Sequence, residues 1–239
     1  MRKGTKWRCL AILLSAAVLI GLAASCSQAK TAFQVNGHKV ERAEWIHYME
    51  RRRDKVAAIL EERHGIELLE DEDWLAPVDG QTPLEHLGEY AAEEIARIKL
   101  EQLYAREYGI KTPLSYTEQQ KDYEEAREKR AREQAEGEAQ YGADDLDFDT
   151  WWTDLYLGMK AKLMDVLVER DVFSITEAML QDLYETMKAQ LRDPYNSYES
   201  SRVYLYNQLA EQMYEEEIDR RLENADITRL NMEIDLDEL

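Results

Sequence analysis

The fold is decided by residues 33–48, FQVNGHKVERAEWIHY. Asn36-Gly37 lies between β-forming residues at Phe33, Val35 and Val40. An Asn-Gly pair in this setting is the strongest short-range signal for a hairpin, because both central positions of a type I′ turn need a positive φ. The residues that follow place their apolar side chains at helical spacing. The stretch therefore predicts a tight hairpin that leads directly into a helix.

The hairpin needs a partner, because two strands alone are marginally stable in water. A segment at the far end of the chain has the alternating pattern of a half-buried strand, with apolar residues at every second position: Leu230, Met232, Ile234 and Leu236. We therefore expect the N-terminal hairpin and a C-terminal strand to form one small sheet, so that the two ends of the mature chain meet.

The beginning of the chain has the layout of a secretory signal, with four basic residues in positions 2–8 and an uncharged apolar run at 9–24. The run ends in Leu22-Ala23-Ala24-Ser25-Cys26, which resembles the lipobox of bacterial lipoprotein signal peptides, although Ala23 stands where Leu is more usual. The resemblance implies a signal peptide at 1–25, lipid attachment at Cys26 and a lipidated linker at 26–31. The mature chain would then be held on a bacterial membrane from outside the cytoplasm. An ordinary cleaved signal and an uncleaved anchor are the alternatives.

Composition restricts the partners. The formal net charge is −20, with 50 acidic residues against 30 basic residues. Nucleic acid is therefore not an expected partner, whereas an acidic surface favours basic clients. The two cysteines are Cys9, which lies within the signal, and Cys26. The folded part of the chain is thus expected to have no disulfide and no thiolate metal site.

After the hairpin the sequence predicts one helix after another, and hence a mostly α fold. The expected helices span about 42–63, 83–108, 117–136, 151–167, 177–191 and 202–224. The second helix has the clearest start, because Thr82-Pro83-Leu84-Glu85 combines an N-cap, a proline in the first turn and a capping box. Asp147 or Asp149 is the expected cap of the fourth. The helix at 117–136 has a thin apolar face, so we expect a projecting arm.

No motif for catalysis or metal binding is found in the sequence. The four histidines are scattered without the spacing of three or four residues that would place a pair on one helix face. With 50 carboxylates, neighbouring acids occur by chance and carry little weight as acid/base pairs. We therefore expect no cofactor, no metal and no catalytic residue.

Aromatic and methionine side chains are the positive functional feature, because they can pack against varied apolar ligands. The candidate client-binding residues are Tyr123, Tyr156, Trp152, Tyr198 and Tyr204. The alternative interpretation is that such residues fill the core, which we favour for Trp45, Trp151, Met159 and Met187.

The order of these parts resembles the N-terminal chaperone domain of the SurA and PrsA family of extracytoplasmic folding factors. The resemblance is carried by short motifs and helix starts: Val35-Asn36-Gly37 before Trp45 and Tyr48, Thr82-Pro83-Leu84, Ala105 to Gly109, Tyr141-Gly142 ahead of Phe148, Trp151 and Trp152, Thr176-Glu177, and the last helix with its closing segment around Ile234. It implies a helical chaperone domain over residues 32–236 that binds unfolded or exported polypeptides.

In that family a prolyl isomerase domain is inserted before the last helix. The corresponding place here is a turn-rich loop at 192–201, which is too short to bury a core. The resemblance, together with the missing domain, therefore implies a lipid-anchored chaperone without catalysis. A degenerate prolyl isomerase and a non-enzymatic adaptor for one envelope partner are the alternatives.

Overall fold

The computed structural model describes residues 30–137, 146–193 and 195–239. The predicted signal, Cys26 and Tyr141-Gly142 lie outside these residues. The described residues form three strands and six α-helices in the order β1 (Thr31–Val35), β2 (His38–Glu41), α1 (Arg42–His64), α2 (Pro83–Glu107), α3 (Tyr116–Ala135), α4 (Phe148–Glu169), α5 (Glu177–Met187), α6 (Tyr198–Glu223) and β3 (Ile227–Arg229). Short 3-10 helices lie at Asp71–Leu75 and Leu236–Glu238. The prediction of a mostly α fold with a small sheet is confirmed.

The sheet joins the two ends of the described chain. Its strand order is β2-β1-β3, and both pairings are antiparallel, with Val35 opposite His38 on one side and opposite Ile227 on the other. The turn has positive φ at both central residues, 50° at Asn36 and 78° at Gly37, as the Asn-Gly pair predicts. The Asn36 N–H donates to the carbonyl of Asp226 at 2.8 Å, so the turn also binds the returning chain.

The closing strand is shorter and earlier than the sequence predicts, at Ile227–Arg229 rather than 230–236. The reason lies in the backbone partners of the residues that follow. The N–H groups of Leu230 and Asn231 both donate to the single carbonyl of Ala32, which ends the ladder. The Arg42 guanidinium then binds the carbonyl oxygens of residues 231 and 233, at 2.9 and 2.7 Å, so this segment needs no strand partner for those groups.

The described residues divide into two compact units, one formed by those from Lys30 to Ala96 together with Asp226–Leu239 and the other by those between Arg97 and Ala225. Helix α2 contributes to both. In the first unit Trp45 is 1% exposed, and its indole N–H donates to the carbonyl of Gly88 at 2.8 Å. An Arg52–Glu94 ion pair also connects α1 with α2. The prediction that Trp45 belongs to the core is confirmed.

The second unit contains a hydrophobic cluster that α2, α4 and α6 share. Its buried members are Tyr104, Ala105, Met159, Leu163, Leu167, Phe173, Tyr214 and Ile218. Met159 was predicted as core and is buried, whereas Trp151 and Met187 are half-buried. A smaller cluster around Leu180, Leu205 and Leu209 packs α5 against α6.

Side-chain caps fix the starts of the helices in this unit. Asp147 caps α4 by accepting the Thr150 N–H at 2.8 Å. Ser197 caps α6, so this helix begins at Tyr198, four residues before the predicted start and inside the expected loop at 192–201. The early start of α6 has a local cause, because Ser197 and Ser200 form a capping box that was not predicted from the sequence.

Candidate functional site

An irregular segment, residues 109–115, connects α2 with α3 and forms one wall of an open cleft. Three side chains on one face of α2 hold this wall, since Arg106, Gln102 and Lys99 donate hydrogen bonds to the carbonyl oxygens of residues 112, 113 and 114, respectively. Lys99 and Gln102 are fully buried. Because three consecutive carbonyls are bound to one helix, the wall is held at a fixed distance from α2.

The beginning of α3 continues this wall. Ser115 is its N-cap and forms a capping box with Glu118. The Glu118 carboxylate accepts the N–H groups of Leu114 and Ser115, at 2.9 and 3.2 Å. These backbone hydrogen bonds lower the pKa of Glu118 below its usual range. Glu118 is therefore ionised at neutral pH and already engaged by the backbone.

The opposite side of the cleft is built from an aromatic cluster between α3 and α4. The ring centroids of Tyr123 and Phe148 are 5.5 Å apart, and those of Tyr123 and Trp151 are 5.7 Å apart. The Tyr123 hydroxyl donates to the carbonyl of Leu146 at 2.8 Å, just before α4 begins. This cluster holds Trp151 half-buried, and Leu155 follows it one turn later with 37% of its surface exposed.

We call the space between these walls the α3 cleft, and its volume is about 760 Å³. Its apolar lining consists of Ile110, Pro113, Trp151 and Leu155. Its charged lining consists of Arg106, Lys111, Glu118, Lys121 and Asp122. A volume of this size is within the range of ligand-binding clefts, and a mostly apolar surface with a charged rim suits a segment of polypeptide.

The predicted client-binding residues do not gather at one place. Tyr123 lies behind the α3 cleft and orients Trp151. Trp152 is only 4% exposed, so we no longer count it among residues that a client could reach. Tyr198 packs against Tyr184, and Tyr204 packs against Tyr195, at the α5–α6 end of the unit.

The residues that line the α3 cleft were mostly missed by sequence reasoning. Helical spacing groups Leu155 with Met159 and Leu163 on one apolar stripe of α4, but Leu155 is partly exposed in the cleft. Ile110 and Pro113 belong to a connection that has no periodic pattern, so their shared position could not be derived from spacing. The one available signal was the pair Trp151 and Leu155, which lie one helical turn apart.

A buried polar network lies elsewhere in the same unit. Glu101 on α2 is fully buried and accepts a hydrogen bond from the hydroxyl of Tyr156 on α4. Burial raises the pKa of this carboxyl, although Tyr156, Lys160 and Tyr214 oppose the shift. The Glu101 Oε1 and the Tyr214 hydroxyl complete no hydrogen bond of good geometry.

Charged groups surround this network and connect the same helices. Lys160 pairs with Glu215 at 2.5 Å, and Arg97 pairs with Asp219 at 2.6 Å. Because Glu101 has no contact with solvent, it does not have the access to a substrate that an acid/base catalyst needs. The network therefore serves the packing of α2, α4 and α6.

Within the described residues, no group of His, Cys, Asp and Glu side chains could hold a metal ion. In the same part of the chain, no helix has both the length and the apolar surface needed to cross a bilayer. Comparisons with protein-family models, with curated proteins and with solved structures find no match to this chain. The α3 cleft is therefore the feature of the described residues that bears most directly on function.

Proposed function

We propose that this protein is a non-catalytic holding chaperone, anchored through Cys26 outside the cytoplasm, and that the α3 cleft receives apolar segments of unfolded or exported polypeptides. The observation that carries the proposal is that half-buried Trp151 and partly exposed Leu155 lie on one side of an open cleft whose other wall is fixed to α2. When a client covers an apolar surface of this kind, the complex is stabilised by roughly 25 cal/mol per Å² buried.

The construction of the cleft suits repeated binding of different clients. The wall is bound to α2 at three carbonyls, so little conformational entropy is lost in the protein when a ligand arrives. The cleft is open at its surface and has a charged rim, so a long chain can enter and leave without threading through a closed pocket. Weak binding of many segments is what a holding function requires.

The connection between α5 and α6 supports a function without isomerase activity. It consists of residues 188–197, between the end of α5 at Met187 and the start of α6 at Tyr198. Ten residues cannot form a separate domain with its own core. In the proposed function the protein therefore binds clients and does not catalyse prolyl isomerisation.

The proposal is tested by light scattering of a chemically unfolded client that is diluted into buffer containing the protein. We expect the wild-type protein to suppress aggregation near equimolar ratio. Leu155→Ser should lose most of this effect, because truncating a contact of leucine size weakens binding by up to about tenfold. Leu157→Ser is the matched control, since Leu157 lies on the same helix, is 54% exposed and lies outside the α3 cleft.

Two results would contradict the proposal: no suppression even with the protein in large excess, or equal loss of suppression in the two serine variants. A proline-limited refolding assay gives a further check, because an accelerated rate would indicate an isomerase. Crosslinking to exported proteins is expected to recover many clients. Recovery of one protein alone would instead favour an adaptor.

A further inference from the structure

The balance of basic and acidic residues that line the α3 cleft is the opposite of the balance in the whole chain. The chain carries 50 acidic residues and 30 basic residues. The cleft is lined by three cations, Arg106, Lys111 and Lys121, and by two acids, Glu118 and Asp122. A strongly acidic protein thus has a local excess of positive charge beside the apolar surface where we propose that clients bind.

Two of the three cations of the cleft, Lys111 and Lys121, are open to a ligand, whereas Arg106 is bonded to the Thr112 carbonyl. Lys111 is exposed and makes no ion pair or hydrogen bond with the described residues. Among the residues that the structure describes, Lys121 pairs with Glu125 alone, at 3.5 Å, and its side chain is 75% exposed. Such exposed pairs are weak and exchange readily. Among the acids, Glu118 accepts two backbone N–H groups but keeps its negative charge, and Asp122 is exposed, with no ion pair to any residue that the structure describes.

Distance decides which charges a bound peptide senses. At physiological ionic strength the screening length is about 8 Å, so carboxylates on distant faces of the molecule contribute little at the cleft. Charges that line the cleft lie within a few ångströms of a ligand and are screened much less. The preference of the site is therefore set by the balance of the charges that line it, three cations against Glu118 and Asp122, and not by the net charge of the chain.

From this arrangement, and building on the proposed function, we infer that the α3 cleft selects polypeptide segments in which an aromatic or branched apolar side chain is flanked by Asp or Glu. The apolar side chain contacts Trp151 and Leu155, and the flanking carboxylate lies beside Lys111 and Lys121. Such a preference for acidic segments is the opposite of what composition alone predicts, since an acidic protein is expected to bind basic clients.

The test compares two fluorescently labelled peptides with the same central aromatic and leucine residues and blocked termini, one flanked by Asp and Glu and the other by Lys. Binding to the full chain in non-ionic detergent is followed by fluorescence anisotropy at about 150 mM salt. We expect the acidic peptide to bind about three- to tenfold more tightly, because several weak charge interactions change sign between the two peptides.

Three variants locate the effect. Lys111→Glu should remove most of the preference for the acidic peptide. Lys162→Glu makes the same change in net charge at an exposed position on α4 outside the cleft, and it should leave the preference unchanged. Asp122→Asn should increase the affinity for the acidic peptide. All three residues are exposed, so the variants are expected to fold like the wild type.

Equal affinity for the two peptides, tighter binding of the basic peptide, or equal effects of Lys111→Glu and Lys162→Glu would overturn the inference. Binding of neither peptide would overturn it as well. These results leave the holding function to its own test: suppression of aggregation that depends on Leu155 but shows no charge preference refutes the inference alone. Loss of both refutes the two together.

Discussion

Replacing Gly88 with alanine is expected to destabilise the protein, whereas the same replacement at Gly158 is expected to stabilise it. Both glycines lie inside long helices, α2 and α4. A Cβ atom at position 88 would stand 2.8 Å from Cζ2 of the Trp45 ring, which is closer than real side chains approach. A Cβ atom at position 158 would meet nothing within 4 Å.

The Trp45 ring has little freedom to move away. It is 1% exposed, its N–H is bonded to the carbonyl of Gly88 itself, and the Arg42 guanidinium lies over it at 5.6 Å from the ring centroid. Overpacking of a core costs about 1–3 kcal/mol. A weakened hydrogen bond adds about 1 kcal/mol. The better helix propensity of alanine returns about 1 kcal/mol.

The expected balance at Gly88 is a loss of roughly 1–3 kcal/mol in the free energy of unfolding. At Gly158 only the propensity changes, so that variant should gain about 0.5–1 kcal/mol. Urea denaturation followed by far-ultraviolet circular dichroism measures both. With slopes of about 1–3 kcal/mol/M, the two midpoints should differ by about 0.5 M or more. A Gly88→Ala midpoint at or above that of Gly158→Ala would refute the packing of Trp45 against α2.

Two further predictions concern buried and tethering charges. Burial raises the pKa of Glu101 in the folded state above its unfolded value, so this carboxyl lowers stability as pH rises through that interval. Glu101→Gln should therefore be more stable than the wild type at pH 7, and this gain should shrink as the pH falls toward the unfolded-state pKa, as measured by urea midpoints across pH; a loss of stability at pH 7 would contradict it. Arg42→Ala removes the donor that binds the carbonyls of residues 231 and 233 and the Glu238 carboxylate. It should cost about 1–3 kcal/mol of local stability and speed amide exchange at Leu230 and Asn231, as measured by hydrogen–deuterium exchange, whereas unchanged exchange would show that the tail is held in another way.

Much of the fold could be predicted because its signals act within a few residues. The positive φ at Asn36 and Gly37 follows from the residue types in the turn. Asp147 and Thr176 cap the helices that follow them, as expected from side chains that bind N–H groups two or three positions later. Such features depend on the local chain alone.

The amino-acid sequence by itself determined that a hairpin opens the folded part, that capped amphipathic helices follow, and that the far end of the chain returns to the hairpin. Only the tertiary structure decided that the closing strand has three residues and that Arg42 binds the carbonyl oxygens after it. It also decided that α2 holds the wall of the α3 cleft. Finally, it decided that Leu155 faces this cleft while Trp152 faces inward. The physical reason is the separation in sequence between the residues that interact. Caps and turns are set by near neighbours. The hydrogen bond from a distant guanidinium to a carbonyl, and the exposure of one helix face, depend instead on which elements pack together.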